Sequence, residues 1–133
     1  MKIETYVGQI RKAASFVKKK APGFRPDVGF VLGSGLAKAV PPLQNALVIP
    51  YRDIPGFPRT TVPGHEGKLI LGRSAGKSVA VMQGRFHYYE GHAMESIALP
   101  VRVLEYIGLK TLFVGHAQDA LDDPLAQAAR EPA

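Results

Sequence analysis

The chain has 133 residues, 46% of them hydrophobic and 21% charged, with 14 Gly, 11 Pro and no Cys, the make-up of a turn-rich globular domain rather than of a disordered or fibrous chain. Without Cys, disulfides, thiolate nucleophiles and zinc–thiolate centres drop out, which suits a reducing cytoplasm; no apolar run reaches the roughly 18 residues of a membrane span, and the opening MKIETYVGQIRK lacks the apolar stretch of a secretory signal. The net charge of +6 is unevenly spread, with 16 Lys and Arg against 7 Asp and Glu in residues 1–114 but one Arg against four acids in residues 115–133.

Tyr6, Ile10, Ala13, Ala14 and Val17 recur at helical spacing and predict a helix from Thr5 to about Lys20, stopped by Pro22 and Gly23. Lys18, Lys19 and Lys20 fall in its last turn, where cations complement the helix dipole. That accounts for the cluster without nucleic acid, and a small anionic substrate such as phosphate accounts equally well for the remaining positive surplus. Val28 to Leu32, between Asp27 and Gly33, predicts a buried strand. Gly33-Ser34-Gly35 follows at once, with a short helix expected from Leu36 to Val40.

Ala46 to Pro50 predicts another strand, and Tyr51 to Pro63 a Pro-rich loop. Lys68 to Arg73 and Ser78 to Gln83 predict a hairpin around Ser74-Ala75-Gly76-Lys77. A loop from Gly84 to Gly91 is dense in functional groups. Met94, Ile97, Ala98, Val101, Leu104 and Ile107 return to helical spacing, with Gly108 as the stop and Pro100 expected to kink or shorten the helix. Leu109 to Val114 predicts the last strand. Strands alternating with helices in this way indicate an α/β fold with a central sheet. Residues 115–133 hold six Ala, four acids and no strand-like run, and read as a tail foreign to the body, with at best one weak helical turn between Asp123 and Arg130.

Three groups of residues invite a chemical reading. Glycines at 33 and 35 leave room for backbone N–H groups to turn toward an anion at a helix start, and the Ser34 hydroxyl adds a donor; the same triplet also serves as a plain turn. Arg85, His87, Tyr89 and Glu90 offer a guanidinium fork for an oxyanion, a donor that titrates near neutrality and a carboxylate to orient it; a solvated polar loop fits those residues equally well. His65, His87 and His92 with Glu66 and Glu90 raise a metal site, but no pair has helical ligand spacing and the flanking glycines place them on turns, so no metal is expected. Gly72 to Ser78 mimics a phosphate-binding P-loop, yet it has three residues between its glycines where that motif has four, and a strand follows where a helix belongs.

The ordered blocks VLGSGL (31–36), YRDIPGFPRTTVPGHEGKL (51–69), MQGRFHYYEGH (82–92) and LPVRVLEYIGLKTLFV (99–114) resemble the trimeric, low-molecular-mass purine nucleoside phosphorylases. The resemblance runs over residues 1–114 as the N-terminal part of that family's domain. It implies the phosphorylase-like fold, a central mixed β-sheet flanked by helices and truncated after about residue 114, with 115–133 as an unrelated Ala-rich acidic tail. It implies the family's reaction, phosphorolysis of purine nucleosides to free base and ribose 1-phosphate in purine salvage, with phosphate as co-substrate and no cofactor. Phosphate contacts fall to Ser34, His65, Arg85 and His87; His87 and Glu90 form the catalytic pair, Glu90 holding His87 in orientation; Tyr89 lies at the ribose. Such a reaction needs an anion fixed on one face of an oxocarbenium-like sugar, and phosphate is both stabiliser and nucleophile.

At residue 115 the match stops. The family continues with a phosphate-contacting Thr-Asn-Ala-Ala-Gly-Gly type segment, where this chain reads Gly115-His116-Ala117-Gln118-Asp119-Ala120, so that Ala117 alone corresponds. The family's purine-reading residues have no counterpart here. The expectation is therefore of a homotrimeric, cytoplasmic enzyme by resemblance, binding nucleoside and phosphate but neither nucleic acid nor membrane, with two narrower alternatives: a non-catalytic fragment binding phosphate or ribose phosphate, and an inactive remnant. The related methylthioadenosine phosphorylases are a lesser alternative, disfavoured by Phe86-His87-Tyr88-Tyr89-Glu90-Gly91.

Overall fold

A computed structural model describes residues 3–32, 42–57, 67–84 and 94–114. Helix α1 (Ile3–Lys20) begins two residues before its expected start and carries the three lysines in its last turn. Two of them also lie over aromatic rings, Lys18 at 5.3 Å from the Tyr106 centroid and Lys20 at 5.5 Å from that of Phe16, which adds a weak cation–π attraction to the dipole effect. Ala13, Ala14 and Val17 are buried, the small side chains letting the helix lie close to its neighbours.

Strand β1 (Val28–Leu32) is buried at every position. Strands β2 (Gln44–Pro50), β3 (Lys68–Ser74) and β4 (Lys77–Gln83) follow, then helix α2 (Met94–Tyr106) and strand β5 (Thr111–Val114). They form a mixed five-stranded sheet in the order β2-β3-β4-β1-β5, with β1 parallel to β4 and β5 and with β3 antiparallel to both β2 and β4. This is the central mixed sheet expected from the sequence. Alternation along each strand separates two cores. On one face Val31, Leu69, Leu71, Ala80 and Met82 meet α1 and α2 through Ala13, Ala14, Val17, Leu99, Val103 and Leu104. On the other, Val28, Phe30, Leu32, Val79 and Val81 cluster with Ile70 and Phe113. Phe30 and Phe113 are register partners across β1 and β5 and stack at 5.5 Å.

Other boundaries also differ from expectation, β3 and β4 by one residue each at the hairpin. β2 starts at Gln44, two residues early, because a register shift between Gln44 and Leu47 absorbs Asn45, whose φ is +54°; that irregularity breaks the alternation that marks a strand in sequence. α2 continues through Pro100 to Tyr106 and is not cut short there, with Pro100 itself buried in the core. It ends on Gly108 (φ +116°), where Leu109 N–H donates to Leu104 O and Gly108 N–H to Glu105 O, the paired bonds of a Schellman cap. The cap takes up Leu109, so β5 begins at Thr111 rather than at Leu109. The helix expected over Leu36 to Val40 lies outside the described residues. Among those described, no helix is long and apolar enough to cross a membrane.

Candidate functional site

All five strands present an end on one edge of the sheet. Leu32 pairs with Gln83 and Val31 with Val114, so the carboxyl ends of β1, β4 and β5 coincide. Lys68 at the start of β3 pairs with Gln83 on one side and with Pro50, the end of β2, on the other. Ligands of open α/β sheets gather beyond the carboxyl ends of parallel strands. In sequence, Gly33-Ser34-Gly35 follows Leu32, Arg85 follows Gly84, His65 precedes Gly67 by two positions, and Gly115 follows Val114.

Ser34, His65, Arg85, His87, Tyr89, Glu90 and Ala117 themselves all lie outside the described residues, as do Glu66 and His92 of the rejected metal cluster. What the structure shows is the platform beneath this edge. Tyr51 opens a 3₁₀ turn, Tyr51–Asp53, directly after β2. Its N–H donates to Gly67 O at 3.0 Å, and its hydroxyl crosses 33 positions of sequence to donate to Gly84 O at 3.2 Å. Gly84 N–H in turn donates to Leu32 O at 3.0 Å. Tyr51 thus ties the ends of β3 and β4, and Gly84 ties that pair to the end of β1.

The ring is 2% exposed, set edge-on to Phe57 at 5.5 Å and buried alongside Ile54. Burial penalises the phenolate and pushes the Tyr51 hydroxyl well above its ordinary value, so it stays a neutral donor. Two glycines make the close approach possible. A β-carbon at Gly67 would collide with the Tyr51 ring, and one at Gly84, whose φ is +100°, would come within 3.1 Å of the Gly67 α-carbon. Sequence reading placed Tyr51 in an irregular loop and missed this role. The usable signal was an aromatic residue immediately after a strand, but its distant partner depends on the β3–β4 register.

The described residues also dispose of one decoy. Gly72 to Ser78 is the hairpin connecting β3 to β4, with Ser74 paired to Lys77 and the Arg73 guanidinium turned onto the Ser78 hydroxyl and Gly76 O, each at 3.1 Å. A phosphate-binding loop would leave those donors for a ligand. No group of three or more His, Asp or Glu able to hold a metal occurs among the described residues, and none of their charged side chains is buried.

No family model matches the chain. Among curated proteins it is 45% identical over 114 residues to purine nucleoside phosphorylase 1 of Geobacillus stearothermophilus, covering 86% of this chain and 41% of that protein. Among solved structures it superposes on a purine nucleoside phosphorylase in complex with ribose 1-phosphate with a TM-score of 0.74 at 42% identity, covering 81% of this chain and 39% of the other. The Schistosoma mansoni purine nucleoside phosphorylase in complex with inosine matches with a TM-score of 0.73 at 41% identity, over 81% and 37% of the two chains. The chain therefore spans about two fifths of the length of the relatives it matches.

Proposed function

We propose that this chain, which is similar to purine nucleoside phosphorylases over about two fifths of their length, serves the phosphorolysis of purine nucleosides by holding phosphate and ribose 1-phosphate at the common strand-end edge. The observation that carries the reading is the convergence of Leu32, Gly67, Gly84 and Val114 on that edge, because each adjoins in sequence a segment singled out for anion chemistry. The relatives in complex with ribose 1-phosphate and inosine support the substrate class. Ser34, Arg85 and His87 are the proposed phosphate ligands, with His65 and Ala117 beside them; Glu90 orients His87, and Tyr89 meets the ribose. Phosphate attacks the anomeric carbon and the purine departs, so no enzyme nucleophile and no cofactor enter the reaction. Residues 115–133 are proposed as a separate tail. Trimeric assembly and a cytoplasmic setting belong to the same reading, the latter supported by the absence of Cys.

A narrower reading is binding without turnover. It is favoured by the residue types that adjoin this edge, which suit an anion rather than a base. Release of hypoxanthine from inosine distinguishes the two. Turnover that requires both phosphate and Arg85, and is lost in Arg85→Ala, establishes the enzymatic reading. Ribose 1-phosphate binding without turnover establishes the narrower one, and the absence of both contradicts the proposal.

A further inference from the structure

The structure assigns Tyr51 as a positioning residue for the phosphate site: its hydroxyl and its backbone N–H hold the ends of β4 and β3 at Gly84 and Gly67, and Gly84 N–H joins the end of β1 to them. The inference rests on the phosphate reading above. A peptide unit is planar, so the carbonyl of Gly84 shares its plane with the nitrogen of Arg85, and the carbonyl of Leu32 with that of Gly33. The hydroxyl of Tyr51 holds the first plane through Gly84 O at 3.2 Å, and Gly84 N–H holds the second through Leu32 O at 3.0 Å. The third tie, Tyr51 N–H to Gly67 O at 3.0 Å, fixes the entry to β3, two residues after His65.

A phenylalanine ring would fill the same space against Gly67 and Phe57. The hydroxyl adds a directed bond that the ring cannot supply, to the carbonyl of Gly84. Tyr51 is buried at 2% exposure and so stands away from substrate, and the described route by which it acts on the anion is the backbone it orients. A guanidinium that grips phosphate with two bonds is sensitive to such direction, since both bonds weaken when the fork is turned.

The test uses the full chain and inorganic phosphate as the probe, by titration calorimetry well below the melting temperature so that reduced stability leaves the binding constant unaffected. Tyr51→Phe is expected to weaken phosphate binding about 3- to 10-fold, the range spanned by loss of one hydrogen bond, and to speed hydrogen exchange of the Gly84 amide. Asp27→Ala is the control. It removes a bond from Ser78 N–H to Asp27 Oδ2 of 2.9 Å at the opposite edge of the sheet, and should lower stability without weakening phosphate binding. Unchanged binding in Tyr51→Phe, or equal weakening in Asp27→Ala, overturns the positioning role while leaving the phosphate reading standing. No phosphate binding by the unsubstituted chain overturns both.

Discussion

A buried phenol next to two glycines has a pH signature. In the folded chain the Tyr51 hydroxyl is held above its ordinary value near 10 by desolvation, whereas in the unfolded chain it titrates normally. Below that value both states keep the proton and the contribution of Tyr51 to stability is complete. Above it the unfolded state alone loses the proton, so stability falls as pH rises, by up to about 1.4 kcal/mol per unit. Chemical denaturation between pH 9 and 11 should show this alkaline loss in the unsubstituted chain and a shallower one in Tyr51→Phe; identical slopes would place the phenol in water. Tyr51 is also where sequence reading reached its limit at this scale. The proposed ligands are legible as residue types, Arg for a bidentate contact and His for a titratable donor, whereas the described bond of the Tyr51 hydroxyl is to a carbonyl, and carbonyls carry no sequence signal.

Among the elements, β1 and the β3–β4 hairpin were readable because their signals are local. β1 is an apolar run bounded by Asp27 and Gly33, and the hairpin places Ala75-Gly76 between two strand patterns. Both loop residues have positive φ, +52° and +76°, the arrangement of a two-residue type I′ turn whose twist suits the strands. Glycine adopts it freely, but alanine does so under strain. Ala75→Asn should therefore stabilise the chain by about 0.5–1 kcal/mol, read as a higher urea midpoint with unchanged slope; a lower midpoint would mean that the turn is of another kind. The start of β2 was less legible because the bulge at Asn45 interrupts the period, and α2, with Pro100 buried in the core, runs on past a proline expected to kink or shorten it. In both cases tertiary pairing outweighed local propensity.

For the whole molecule, the sheet sets direction. Both described helices pack on one face, a second apolar cluster lies on the other, and four strands finish at the edge where β3 begins. The order of strands was not readable from the sequence, since neither the placement of β1 between β4 and β5 nor the shared edge follows from periodicity. Motif order supplied what periodicity could not, and the superposition on purine nucleoside phosphorylases agrees with it. The proposed division at residue 114 adds that most of the hold on the anion rests with Ser34, Arg85 and His87, with Ala117 a minor contact whose loss with 115–133 leaves binding in place. The most direct measurement is thermal unfolding of the chain with increasing phosphate at constant ionic strength, alongside Arg85→Ala and a variant lacking 115–133. Binding to the native state raises stability by mass action, about 2.7 kcal/mol at a hundredfold excess over Kd. A rise that persists without the tail and vanishes in Arg85→Ala is the predicted result; no rise in the unsubstituted chain, or the same rise in Arg85→Ala, would contradict a phosphate site at this edge.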